Sequence, residues 1–179
     1  MRRPVTWVIA GLAVVLLAGG LWAFQPWKAF TQSTVNEELP AAAAQPSPDT
    51  QSRDVPSSTT PSAPAEPEVL ANGEFVDGEH ETSGTARVLE LAEGKRVLRL
   101  EGFSTSDGPD VHVWLSDQKS GGDWGSYDDG RYIPLGKMKA TDGNQNYVLP
   151  DGATLGGMRS AVIWCDRFNV AFGSAPLDL

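Results

Sequence analysis

Cys165 is the single cysteine of the 179-residue chain, set in Ala161-Val162-Ile163-Trp164-Cys165-Asp166-Arg167-Phe168-Asn169-Val170. A thiol with no intrachain partner has three roles open to it. It is a small apolar filler, a thiol that pairs with another chain, or a redox or ligand group. Read as a strand, the run puts Ala161, Ile163 and Cys165 on one face and Val162 and Trp164 on the other. If both faces are covered, Cys165 belongs to the core. A reactive thiol needs partial exposure and a cationic neighbour. Arg167 is within reach along the chain, with Asp166 between.

The other groups with chemical potential are sparse. His80 and His112, with Cys165, Met138 and Met158, just complete the donor inventory of a blue-copper centre, but no His or Met follows Cys165 closely. Haem could take an axial His or Cys, yet there is no attachment motif. Neither copper nor haem is required, and no metal site is assigned. Asp123-Trp124-Gly125-Ser126-Tyr127-Asp128-Asp129-Gly130 offers hard oxygens, but its spacing fits no calcium loop; it reads as a solvated, turn-rich segment. Trp124 and Tyr127 in that polar loop are candidate anchors for a partner or a sugar, with Asp110 and His112 as further binding candidates. Gly108-Pro109-Asp110 reads as the start of a strand. No serine–histidine or paired-carboxylate motif points to a hydrolase.

Such residues need a scaffold, and the pattern after residue 70 is all-β. No apolar stripe at 3.6-residue spacing lasts three turns, while short runs separated by Gly, Asp, Asn and Pro dominate. Val111, Val113 and Leu115 alternate with His112, Trp114 and Ser116; Phe168, Val170 and Phe172 alternate with Asn169, Ala171 and Gly173. Residues 87–91 and 95–100 read as a hairpin, with Gly94 in the left-handed position of its loop. Asp142-Gly143 and Asp151-Gly152 read as turn dipeptides. The expected fold is a sandwich or partly closed barrel of about seven to nine short strands.

Ahead of this domain, residues 1–30 hold an uncharged stretch from Val5 to Phe24, preceded by Arg2 and Arg3. At about 1.5 Å per residue that stretch suits a transmembrane signal anchor with the N-terminus in the cytoplasm. Trp7, Trp22 and Trp27 lie near its ends. A signal peptide cleaved after Ala18-Gly19-Gly20 is the alternative, and both readings place the domain outside the cytoplasm. Residues 31–69 contain seven prolines and no aromatic residue, so a disordered tether is expected there, on the order of 120 Å long if fully extended. The domain, 70–179, follows. Its 17 acidic and 10 basic residues, a net of -7, argue against nucleic-acid binding.

Four stretches, in order, resemble the DM-thirteen domain, a small extracellular module of Skeletor-type and membrane-anchored bacterial proteins. They are Gly73-Glu74-Phe75 with His80 and Ser83-Gly84-Thr85-Ala86; Leu98 to Phe103 leading into Gly108 to Ser116; Leu135 to Lys139 with Gly143 to Pro150; and Ala161 to Cys165 with Phe168, Val170, Phe172-Gly173 and Ala175. Together they cover nearly all of residues 72–177. The family's characteristic cysteine falls on Cys165. The resemblance implies a role in electron transfer through that thiol. The expected partner, apart from the membrane, is an unknown extracytoplasmic protein or redox partner. A cell-surface binding module with a core cysteine is the rival reading.

Overall fold

The computed structural model describes residues 3–25, 27, 31–40, 67–92 and 94–179. One helix, α1 (Arg3–Phe24), precedes ten strands. These are β1 (Thr34–Asn36), β2 (Glu68–Glu74), β3 (Val76–Asp77), β4 (Ser83–Glu90), β5 (Arg96–Ser104), β6 (Val111–Ser116), β7 (Tyr132–Lys137), β8 (Asp142–Val148), β9 (Ser160–Cys165) and β10 (Val170–Pro176). They form two five-stranded sheets, β1-β8-β5-β4-β2 and β3-β10-β9-β6-β7, with no closed barrel. Of the two expected architectures, the sandwich is therefore the one adopted.

The core lies between the sheets. Ala86, Val88, Leu98, Leu100 and Tyr147 of the first sheet meet Val111, Val113, Leu115, Ile163, Cys165 and Phe172 of the second. The alternation expected around Cys165 holds: Ala161, Ile163 and Cys165 join this core, while Val162 and Trp164 join a second cluster with Trp114, Tyr127 and Ala171 on the outer face of the second sheet. Both faces of β9 are thus covered, and all six of its residues are buried. The expected hairpin is β4–β5, with Gly94 at φ 74°. Asp151-Gly152 is a turn, as expected. Asp142-Gly143 is not: both residues open β8. Gly143 sits within the strand at φ 103°; the nearby register irregularity belongs to β5, where Glu101 and Gly102 together oppose Asn144 and Gly102 takes φ 54°.

The stretch 31–69, expected as disordered throughout, departs from that reading at both ends. β1 lies parallel to β8, with Thr34, Val35 and Asn36 opposite Asp142, Gly143 and Asn144. Glu37 extends the contact: its carboxylate accepts from Lys139 Nζ at 2.7 Å and from the Asn146 amide at 2.7 Å, and its carbonyl accepts from Arg99 at 2.7 Å. Composition hid this docking because it is polar and backbone-driven, with no apolar alternation to signal a strand. At the other end β2 begins at Glu68. Residues 41–66, the rest of the expected tether, lie outside the described residues.

The expected N-terminal helix forms as α1, 22 residues long. Its side chains are described over residues 7–22, which is 16 residues. Among the described residues no helix is long and apolar enough to cross a membrane.

Candidate functional site

Cys165 closes β9, opposite Val111 on β6 and Val170 on β10. It is 0% exposed. Beyond it the chain turns through Asp166, Arg167, Phe168 and Asn169, with Asn169 at φ 54°, before entering β10. Asparagine tolerates that left-handed conformation better than most residues. Burial pushes the thiol above its ordinary pKa, opposed by backbone bonding from Phe168, Asp110 and Arg167, while the Asp110 carboxylate nearby pushes it further up. The thiol is therefore held protonated in neutral solution. Arg167, the cation within reach along the chain, is exposed on the turn and contributes its backbone.

Register builds a polar cluster at the same end of the sheet. Val111 pairs with Cys165, so Asp110 meets Asp166 one step further on, where the Asp166 amide donates to the Asp110 carbonyl at 3.0 Å. His112 lies two residues on, opposite Trp164. Its Nε2 is 3.0 Å from Asp110 Oδ1 and 3.4 Å from Asp166 Oδ2. Lys137 Nζ approaches Asp110 Oδ1 at 2.9 Å. Lys137, then His112, hold the Asp110 carboxyl below its ordinary range against the opposing cost of burial. One ligand atom from each of Asp110, His112 and Asp166 falls within 4.8 Å of the others, so this is the group among the described residues that could hold a cation.

The blue-copper inventory is not gathered in that way. His112 shares the outer face of the sheet with Trp164, whereas Cys165 faces the core. His80 packs on the Phe172 ring at 4.0 Å, and Met158 is fully buried in the core.

Behind the cluster, Trp164 stacks on Trp114 at 4.8 Å and Trp114 on Tyr132 at 4.3 Å. Tyr132 is 41% exposed, so the stack runs from the residue beside Cys165 to the surface. The loop between β6 and β7 packs Tyr127 against this outer face. Of its two expected exposed anchors only Trp124 is exposed, at 49%, next to a depression of about 200 Å³ that it lines with Gly122 and Asp123. Tyr127 is 1% exposed and corrects the expectation. Its hydroxyl pairs with Ser174 Oγ at 2.8 Å and accepts from the Gly122 amide at 3.3 Å. An aromatic ring between two turns reads as solvated only when the apolar face it can cover is out of sight.

Two participants escaped the sequence, Asp166 and Lys137. Both reach the site through cross-strand register rather than local spacing. The signal is present in pieces: alternation marks strands at 111–116 and 161–165, and antiparallel pairing of their ends places Asp166 beside Asp110.

Neither a curated protein nor a solved structure matches the chain. The profile of the family described as "Electron transfer DM13" matches residues 74–177, which is more than half of the chain and includes the whole cluster and Cys165. The chain belongs to the DM13 family.

Proposed function

We propose that this chain is a membrane-anchored, extracytoplasmic module that takes part in electron transfer, with Cys165 as its redox group. The family match over residues 74–177 carries the reading. Burial closes Cys165 to exchange with bulk thiols, so the role proposed for it is a one-electron one. The Trp164–Trp114–Tyr132 stack begins at its neighbour in the chain, and the Asp110–His112–Asp166 cluster beside it offers acceptors for a proton.

Anchoring rests on α1. Trp7, Val8, Ile9, Leu12, Val14 to Leu17, Leu21 and Trp22 are all exposed, so the described part of this helix presents apolar side chains outward rather than to a protein core. In the sequence the uncharged run continues beyond both ends of that part, from Val5 to Phe24.

The test compares the full chain with its Cys165→Ser and Cys165→Ala variants for one-electron exchange with a soluble outer-sphere iron or ruthenium complex. Loss of exchange in both, with the β-sheet signal retained, is expected. Retained exchange overturns the role of Cys165. A second reading has its own observation, the half-exposed Trp124 beside its depression. In that reading the domain binds a surface partner through the β6–β7 loop. Trp124→Ala then abolishes binding while electron exchange is untouched.

A further inference from the structure

We infer that the docked segment 31–40 turns the Cys165 end of the sandwich toward the membrane and holds it close, so that its electron partner resides in the same membrane. This rests on the anchoring proposed above. Its first support is chain length. Without β1, 44 Cα–Cα steps would lie between Phe24 and Glu68, with an extended reach of about 140 Å. With β1 docked, the connection ends at Ser33, whose carbonyl accepts from the Asp142 amide at 2.9 Å. Nine Cα–Cα steps then lie between Phe24 and Ser33, with a ceiling of about 32 Å. Residues 41–66 connect β1 to β2. They are not part of the connection from Phe24 to Ser33.

The second support is direction. β1 runs parallel to β8 and enters at Thr34, opposite Asp142. Asp142 is opposite Ser104, the last residue of β5. Seven residues later the chain begins β6 at Val111, opposite Cys165. Seven Cα–Cα steps span at most about 25 Å, while nine-residue β5 is about 30 Å long. Ser104, Asp142, the entry of β1 and Cys165 therefore share one end of the sandwich. Thr31 reaches the same connection, its hydroxyl donating to Asp107 at 2.7 Å. The β4–β5 hairpin tip and Asp151 lie at the opposite end.

The chemistry of the near end selects the partner. Asp107, Asp110, Asp142 and Asp166 crowd it, with Lys137 and Arg167 as the nearer cations. Such a surface is repelled by anionic headgroups and does not lie on lipid. It fits a membrane-resident carrier whose protruding face is basic.

The experiment places a donor dye on the full chain in vesicles that carry an acceptor-dye lipid. One label sits on Arg167→Cys at the near end and another on Asp151→Cys at the far end, both on a Cys165→Ala background. Transfer is expected to be at least about twofold greater from the near site. Glu37→Lys places two like charges together against Lys139, frees β1, and should erase most of that difference while the sandwich stays folded by circular dichroism. Failure of the chain to float with the vesicles overturns the anchor and this inference with it. Flotation with equal transfer from both sites, unchanged by Glu37→Lys, overturns the orientation alone and leaves the anchor standing.

Discussion

At the residue scale the decisive group is Cys165, and its surroundings set what it can do. The sulfur lies in the core between the sheets, where the charged form is penalised, and its raised pKa follows from that burial first. Alkylation by a maleimide at pH 7 should accordingly be slower by at least about a hundredfold in the native chain than in denaturant, a gap that a stopped assay with a colorimetric thiol count measures directly. The linkage has a definite sign. A thiol raised in the folded state adds stability that is complete below its unfolded value of about 8.5 and is lost as pH rises through the folded one. Wild-type stability should therefore fall more steeply above pH 9 than that of Cys165→Ala, and parallel curves would show a thiol that water already reaches. Replacement by serine costs more than replacement by alanine, about 1–3 kcal/mol, because the hydroxyl enters an apolar site. Trp164 was legible as the opposite-face neighbour of Cys165, since alternation alone places it. Asp166 was not, because its contact with His112 depends on which residue of β6 stands opposite which residue of β9.

At the scale of elements, β9 and β10 show how far alternation carries, and β1 shows where it stops. Fully buried β9 announces itself by a near-continuous apolar run. β1 buries almost nothing apolar; Asn36 accepts from Asn144, and Glu37 from Lys139 and Asn146. Its register is set by backbone pairing and charge, neither of which leaves a periodic trace. Gly143 is the clearest mark it leaves. A methyl group there would overlap the Val35 carbonyl oxygen, and the φ of 103° already disfavours any side chain. The turn expected at Asp142-Gly143 was thus a correct sense of unusual backbone attached to the wrong element. Lys139, first among its causes, holds Glu37 below the ordinary carboxylate range. A depressed carboxylate contributes stability above its undocked value and loses it as pH falls through the docked one. Amides 34–37 should therefore be protected from hydrogen exchange at pH 7 and lose that protection below about pH 4, before the β5 amides do. Simultaneous loss across both strands would mean that β1 has no separate equilibrium. In the β6–β7 loop, Tyr127→Phe should cost about 1–2 kcal/mol in chemical denaturation, since Ser174 and the Gly122 amide lose their shared partner in a buried site.

At the scale of the whole molecule, the unit that folds is larger than the unit that composition or the family profile outlines. The profile begins at residue 74 and composition places the domain from about 70, yet sheet one gains an edge strand from residues 34–36. Without residues 31–40 the outer edge of β8 would be open, its amides at Asp142, Asn144 and Asn146 deprived of Ser33 and Asn36 and of Glu37. Arg99, only 8% exposed, would lose the Glu37 carbonyl, and Lys139 would lose its carboxylate. An unprotected edge of this kind is a template for pairing with a second chain. Each lost hydrogen bond is worth about 0.5–1.5 kcal/mol net, and the ordering of some ten residues is recovered when they are removed. The two terms oppose each other, and the docked strand shows that the contacts win. Residues 31–179 and 67–179, prepared in parallel, should differ in urea denaturation, the longer one being the more stable. The shorter one should also scatter more light at high concentration as its β8 edges pair. Equal stability and equal scattering would reduce β1 to an ornament of the surface. A deficit in the shorter chain that is recovered by adding a peptide of residues 31–40 in excess would identify the missing strand itself as the cause.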